Sequence, residues 1–215
     1  MKGALGARCV LAALLPGACA APTVSLREGA RTYTAERYET VLERWTRVGH
    51  AYTFQGLEDQ IAVTATFESW DFRWAYVVRY ASDFRLSPSA RTQLLDTSLR
   101  EARRENVFYV ALYTQSRRWG ELTRPTSAWR VLLVDDHENA IAPIAVDPLA
   151  RPGALERTYF PYTTVWRQVY RVRFPRRVSV PGRGEVEFLG DQVRFFLLRF
   201  AGPLGHTDLR WSVEG

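Results

Sequence analysis

The densest group of potential metal ligands in the sequence is Asp135-Asp136-His137-Glu138. Carboxylate and imidazole groups this close together could bind a divalent cation. Consecutive side chains of a strand point to opposite faces, however, so few of these groups could converge on one ion. The apolar run Val131–Val134 directly precedes them, and Asp and Asn are frequent turn residues. We therefore predict a polar hairpin turn here and assign no metal ligand.

Residues suited to acid–base chemistry occur elsewhere, but without a diagnostic pattern. Paired carboxylates for glycoside cleavage would have to come from Glu68 with Asp71 or from Glu101 with Glu105. The first pair lies at a predicted helix start and the second among arginines, so helix-end stabilisation and exposed ion pairs explain them. No Gly-x-Ser-x-Gly segment is present, and His206 is expected in a loop. We assign no catalytic residue and no cofactor.

One predicted loop combines an aromatic side chain with two cations, in the order Arg117-Arg118-Trp119. Most of the seven tryptophans lie in apolar stretches, where core packing accounts for them. Trp119 lies outside such a stretch and next to Gly120. Exposed tryptophan and arginine side chains are frequent in binding surfaces. We therefore predict a surface contact at Trp119, Arg117 and Arg118.

The composition excludes thiol chemistry and gives little support to nucleic-acid binding. Cys9 and Cys19 are the only cysteines and both lie near the N-terminus, so the remaining chain can form neither disulfides nor thiolate metal sites. The net charge is +6, and every basic residue except Lys2 is arginine, a bias typical of GC-rich coding sequence. We predict no nucleic-acid partner; contact with anionic lipid is the alternative for the arginine clusters.

The first twenty residues have the three parts of a secretory signal. Lys2 and Arg8 form a positive region, Val10–Leu15 is apolar, and small residues follow Pro16. The apolar part is far shorter than the roughly 20 residues that span a bilayer. We predict residues 1–20 as a signal peptide.

Two processing outcomes fit the end of this segment. Ala18-Cys19-Ala20 suits cleavage before Ala21, which would give a secreted chain. Leu15-Pro-Gly-Ala-Cys19 resembles a bacterial lipobox, although Pro16 stands where that pattern has Leu or a similar residue. The resemblance implies a lipid on Cys19 and a place in the cell envelope, at the periplasmic face of a membrane. Residues 21–33 are small and polar and are predicted to form a tether.

Three helices and one strand are predicted in the first half of the chain. Apolar residues recur at helical spacing over Thr34–Val48 and form one stripe, which Gly49 ends. The alternation in Ile61–Phe67 predicts a strand. Ser69 is placed to cap a second helix that runs to about residue 84. The segment Ser87-Pro88 suits the start of a third helix.

From Val107 the pattern changes to short strands separated by turns. The predicted strands are Val107–Thr114, Trp129–Val134, Ala140–Val146 as its hairpin partner, Val165–Phe174, Val186–Leu189, Gln192–Phe200 and Leu209–Val213, with a loop at Asp147–Thr158. Strands at this spacing are typical of a sandwich. We predict an α+β fold in a single domain, residues 34–215. Its immunoglobulin-like β-sandwich occupies mainly residues 107–215, with an N-terminal helix and an inserted helical pair.

Three C-terminal segments look like strands of an immunoglobulin-like sandwich: Tyr159-Phe-Pro161, Tyr170-x-Val-x-Phe-Pro175 and Leu197-Leu-Arg-Phe-Ala-Gly-Pro-Leu-Gly205. With the signal and Cys19, they make the chain resemble the uncharacterised lipoproteins of Gram-negative bacteria. This resemblance implies an envelope protein and brings no catalytic residues.

We expect a non-enzymatic binding or assembly module, held at a membrane by its N-terminal lipid, with envelope proteins or glycans as partners. The alternatives are a cell-wall or glycan-active hydrolase and a lipid or lipoprotein carrier. A concave pocket with two facing carboxylates would favour the hydrolase. An apolar cavity between the helices and the sheet would favour the carrier.

The lipid on Cys19 is tested by the intact mass of the protein purified from membranes of its host. We expect an acylated chain that begins at Cys19, and no acylated form of the variant Cys19→Ala. An unmodified chain that begins at Ala21 would contradict the lipoprotein assignment.

Overall fold

A computed structural model describes residues 22–52, 59–182, 184–190 and 192–214. The predicted signal peptide and Cys19 lie outside the described residues. The helices are α1 (Tyr38–Trp45), α2 (Trp70–Asp83), α3 (Pro88–Ala102) and α4 (Ala154–Tyr159). The strands are β1 (Thr46–Tyr52), β2 (Asp59–Phe67), β3 (Glu105–Tyr113), β4 (Arg130–Val134), β5 (Ala140–Ile141), β6 (Ala145–Pro148), β7 (Gln168–Pro175), β8 (Arg177–Val180), β9 (Gly184–Glu187), β10 (Phe195–Gly202) and β11 (Gly205–Ser212).

The strands form antiparallel sheets, and with the helices they give the predicted α+β fold. One sheet has five strands in the order β1-β2-β3-β7-β6, and the other has four in the order β11-β10-β4-β5. Strands β8 and β9 form a separate hairpin. Among the described residues, no helix combines the length and apolar character that crossing a bilayer requires.

Aromatic side chains fill the space between the two larger sheets. On the five-stranded sheet Phe67 stacks on Phe108, with 4.8 Å between the ring centroids. On the other sheet Phe196 stacks on Trp211 at 5.3 Å. Phe67 lies 5.4 Å from Phe196, and Phe108 lies 5.6 Å from Trp211. All four are buried, so their large apolar area holds the sheets together.

Helices α2 and α3 lie between β2 and β3 in the chain, as predicted for an inserted helical pair. The Ser69 hydroxyl accepts a hydrogen bond from the Phe72 amide at 3.1 Å and begins α2. Ser87 accepts from the Ala90 amide at 3.3 Å and begins α3, with Pro88 at its first position. Ser69 and Ser87 are therefore confirmed as the caps of these two helices.

The predicted helix Thr34–Val48 is wrong at both ends, because Ala35–Arg37 form a 3₁₀ turn without a side-chain cap from Thr34, and the last turn is absent. It ends at Trp45, and strand β1 begins at the next residue. Trp45 is buried, its indole donates to Asp71 at 3.2 Å, and its carbonyl accepts from the Trp211 indole at 3.0 Å. These contacts fix the change from helix to strand, and Val48 is 59% exposed instead of extending the apolar stripe.

Gly49, predicted to end that helix, lies within β1 where β11 approaches closely. A Cβ atom at this position would be 2.6 Å from the Thr207 Oγ1 and 2.8 Å from the Leu209 Cδ1. Such distances are too short for van der Waals contact, so only glycine fits without movement of the Thr207 and Leu209 side chains. Gly49 therefore allows β1 to pack against β11.

The prediction that residues 21–33 form a tether is wrong from Pro22 onward. Val24 is fully buried and forms a parallel bridge to Val213. The Arg47 guanidinium donates to the Pro22 carbonyl at 2.8 Å, and Glu28 pairs with Arg103 at 3.0 Å. The composition of small polar residues suggests a linker. In the fold, however, Val24 pairs with backbone groups at the edge of the sheet beside β11.

The segment 140–158 also differs from the prediction. Only β5 continues the hairpin from β4, whereas β6 crosses to the other sheet and pairs with β7. The predicted loop Asp147–Thr158 contains most of α4, at whose start the Glu156 carboxylate accepts from the Gly153 amide at 2.7 Å. The sandwich prediction for mainly residues 107–215 omits β1 and β2, which supply two strands of the five-stranded sheet.

The variant Gly49→Ala should lower the free energy of unfolding by about 1–3 kcal/mol, because the added methyl group overpacks the contact with β11. The measurement is urea unfolding. Gly190→Ala is the matched control, since its Cβ would meet only ordinary contacts from 3.5 Å outward. We expect that control to stay within about 0.5 kcal/mol of wild type. Equal effects of the two substitutions would contradict a tight β1–β11 contact.

Candidate ligand-binding groove

A groove of about 680 Å³ lies on the outer face of the five-stranded sheet, under α2 and α3. Its floor comes from β3 and β7, where Tyr109 is paired with Arg171 and Val107 with Arg173. Since side chains alternate along a strand, Tyr109, Arg171 and Arg173 point away from the aromatic core at Phe108. The opposite wall comes from Leu149 and α4. We refer to this site as the helix-side groove.

Four charged side chains form an ion-pair network at the base of the helix-side groove. The Arg171 guanidinium donates to both oxygens of Glu68, at 2.6 and 3.1 Å, and lies 3.3 Å from the Glu101 carboxylate. Arg73 donates to the same Glu101 carboxylate at 2.5 Å. The network therefore ties β7 to the start of α2 and to the end of α3.

Arg73 is the most buried member, with 4% of its side chain exposed. Its Nε donates to the Glu68 carbonyl at 2.8 Å, and its Nη1 donates to the Ser98 carbonyl at 3.1 Å. Its Nη2 lies 3.3 Å from the Glu68 carboxylate but without hydrogen-bond geometry. A buried guanidinium this well paired is held rigidly, because any movement would leave charges uncompensated.

The network favours the charged forms of Glu101 and Arg171. Burial alone would raise the pKa of Glu101, but the attraction and hydrogen bonds of Arg73 and Arg171 outweigh it and lower that pKa. Burial opposes the charge of Arg171, yet Glu68 and Glu101 raise its pKa above the ordinary arginine value. At neutral pH Glu101 and Arg171 are therefore charged, which suits hydrogen bonding to a polar ligand.

Aromatic rings support the floor from the α4 side. Tyr109 stacks on Phe160 with ring centroids 3.8 Å apart, and Phe72 packs against Phe160 at 5.8 Å. The Tyr109 hydroxyl is hydrogen-bonded to Thr163 at 2.9 Å. Of the aromatic rings that line the groove, only Tyr76 is half-buried, and the others are buried. The groove is thus largely formed before any ligand binds.

The rim of the groove offers unpaired cations and accessible apolar surface. Arg100 and Arg104 are exposed, and within the described ranges neither forms an ion pair with a carboxylate. The Arg100 guanidinium donates only to the Thr97 hydroxyl, at 2.9 Å. Leu94 and Leu155 line the same groove, and Leu155 is 42% exposed.

The fold separates one of the two carboxylate pairs named from the sequence, whereas Glu101 and Glu105 both line the groove. Glu68 lies in the groove, whereas Asp71 is buried behind it and accepts from Arg31, Tyr33 and Trp45. Glu101 and Glu105 both form ion pairs, as expected, but their partners come from other elements of the fold and not from the neighbouring arginines of α3. Sequence reasoning missed Arg73, Arg171 and Tyr109, since each looked like an ordinary helix or strand residue.

The other predicted positions lie away from this groove. The Asp135 carboxylate accepts from the His137 and Asn139 amides at 2.9 and 2.8 Å, which confirms the turn. Asp135, Asp136 and His137 are close enough together for a metal ion, but the Asp136 carboxylate pairs with Arg194 at 3.0 Å.

His206, expected in a loop, lies in strand β11 and is exposed. Arg117 and Arg118 are exposed and Trp119 is half-buried, so their surface contact stays a prediction. Trp166, at 78%, is far more exposed.

Comparison with known proteins found no match for this chain. No protein-family model matches it, and neither do any of the curated proteins or solved structures.

Replacing Arg73 by Met should lower the free energy of unfolding by about 3 kcal/mol or more, because it leaves part of the buried carboxylate charge uncompensated. Arg79→Met on the same helix is the control. Arg79 pairs with Glu39 and Asp83 at the surface, and such pairs contribute about 0–1 kcal/mol. The measurement is urea unfolding monitored by circular dichroism. Similar losses for the two variants would argue against a buried network.

Proposed function

We propose that this chain is an exported, lipid-anchored envelope protein that binds a small ligand in its helix-side groove without transforming it. The observation that carries this proposal is the groove itself. It is preformed, has a volume of about 680 Å³ within the range of small-molecule sites, and has a rigid charged floor.

The ligand best suited to the groove is a short peptide that ends in a free carboxylate. Arg100 and Arg104 at the rim have no carboxylate partners among the described residues, so either can bind one. Leu94, Leu149 and Leu155 provide apolar surface for a side chain. The ionised Glu101 and Arg171 at the floor can accept from and donate to peptide groups.

One feature of the groove favours the hydrolase alternative, and another argues against it. Glu68 and Glu101 both reach the same Arg171 guanidinium, at 2.6 and 3.3 Å, so two carboxylates do face one groove. A general acid at neutral pH needs a raised pKa, whereas that of Glu101 is lowered. The charged floor also does not suit an acyl chain, so binding is favoured over both catalysis and lipid transport.

The lipid anchor on Cys19 would hold the domain close to the bilayer. Pro22 is the first residue that the structure describes, and its carbonyl accepts a hydrogen bond from Arg47. Three residue steps from Cys19 span at most about 11 Å. Such a short connection suits a module that acts at the membrane surface.

The immunoglobulin-like class of the β region and the single-domain boundary stay predictions. The two facing antiparallel sheets favour a sandwich, and the larger of two apolar clusters, which includes Trp45 and Trp211 and reaches both sheets, favours a single unit. Neither bears on the function, because one fold can carry many functions.

Binding is tested with leucine-containing tripeptides, each prepared as the free acid and as the C-terminal amide. We expect the free acid to bind at least tenfold more tightly, because a charge-assisted hydrogen bond to Arg100 or Arg104 is lost in the amide. Saturation-transfer NMR detects the contact, and calorimetry gives the affinity ratio.

The variant R100A/R104A should abolish the preference for the free acid. Arg91→Ala on the same helix is the control, since Arg91 is exposed but does not line the groove. No binding of either form, or an unchanged preference in R100A/R104A, would overturn the proposal for the groove. That result would not bear on the lipid anchor, which is tested separately by the intact mass of the protein.

A further inference from the structure

A second cavity of about 460 Å³ opens where β7 begins, between the loop before α4 and residues 117–123. Four arginines line it, Arg117, Arg151, Arg157 and Arg167, against one carboxylate, that of Glu121. Glu121 already pairs with Arg124. We refer to this cavity as the arginine groove.

The charge of the arginine groove is uncompensated, in contrast to the helix-side groove. In the described part of the chain, none of its four arginines forms an ion pair with a carboxylate. In the helix-side groove Arg73, Arg171 and Arg173 all have acidic partners. Cations that share a concave wall repel one another, so a bound anion would relieve that repulsion and gain attraction from several sides.

Arg167 is held in place at the back of this cavity. Its Nη1 donates to the Thr64 hydroxyl at 2.6 Å and contacts the Ala111 carbonyl at 3.5 Å. The side chain is half-buried, so its guanidinium has lost part of its hydration without gaining a counterion. A positioned, partly dehydrated guanidinium binds an anion with little further loss of conformational entropy.

We propose that the arginine groove binds a ligand through a phosphate group. Guanidinium groups match phosphate oxygens with paired hydrogen bonds, and several of them around one cavity favour a multiply charged anion over a single carboxylate. The hydroxyls of Thr123 and Thr164 also line the cavity and can donate to the same oxygens.

The mouth of the groove adds apolar contact for the remainder of such a ligand. Val165 lines the cavity and is 65% exposed, and its neighbour Trp166 is 78% exposed. Large apolar side chains at this exposure are a common feature of binding surfaces. A phosphate ester with a ring or chain next to its charged group would use both surfaces.

The test is calorimetric titration of the whole chain with inorganic pyrophosphate and inorganic phosphate, beside flotation with phosphatidylglycerol vesicles. We expect pyrophosphate to bind, and the variant R117A/R157A to bind it at least tenfold more weakly, because each lost guanidinium removes charge-assisted hydrogen bonds. Pyrophosphate binding without vesicle binding identifies a soluble ligand, whereas binding to both identifies the phosphate group as the shared determinant.

R91A/R130A is the matched control, since Arg91 and Arg130 are exposed arginines that do not line the cavity. This control should retain pyrophosphate affinity within about twofold, because it removes the same two charges as R117A/R157A but none of the lining guanidinium groups. No pyrophosphate binding at 0.15 M salt, or equal weakening in R91A/R130A and R117A/R157A, would overturn the proposal.

Discussion

The ion pairs of Arg73 and Arg171 with Glu68 and Glu101 connect the helices to the sheet, with Arg73 buried and the other three side chains half-buried. Arg171 projects from β7, Arg73 from α2 and Glu101 from α3, so three separate elements meet in one charged network. Its members are costly to separate because removal of one leaves charge in a region of low dielectric. The shape and polarity of the helix-side groove follow from this constraint.

The two grooves differ in how their charge is balanced, and this difference gives them different chemistry. The helix-side groove has a neutralised floor with cations only at its rim, which suits a ligand with both polar and apolar parts. The arginine groove has no such balance, and its half-buried Arg167 lacks a counterion in the described part of the chain. Compensated charge gives a rigid, selective surface, whereas uncompensated charge gives attraction for anions.

Local sequence predicts the elements whose signals are local. Ser69 and Ser87 begin α2 and α3 because a hydroxyl there satisfies a free amide, whatever the rest of the chain does. The turn at Asp135 follows in the same way. Prediction fails at β1, because contacts of Trp45 and Gly49 with the distant strand β11 determine where β1 begins and how it packs. It also fails at Val24, which covers the edge of β11.

The sequence by itself determined the helical pair, most of the strands, the absence of cysteine after Cys19 and the polar turn at Asp135. It also named Glu68 and Glu101, though as members of different pairs. Only the tertiary structure brought these two carboxylates together on Arg171 and placed Arg117 in a groove with Arg157. The physical reason is that capping and alternation act over a few residues. Ion pairs and cavities depend instead on which distant segments the folded core brings into contact.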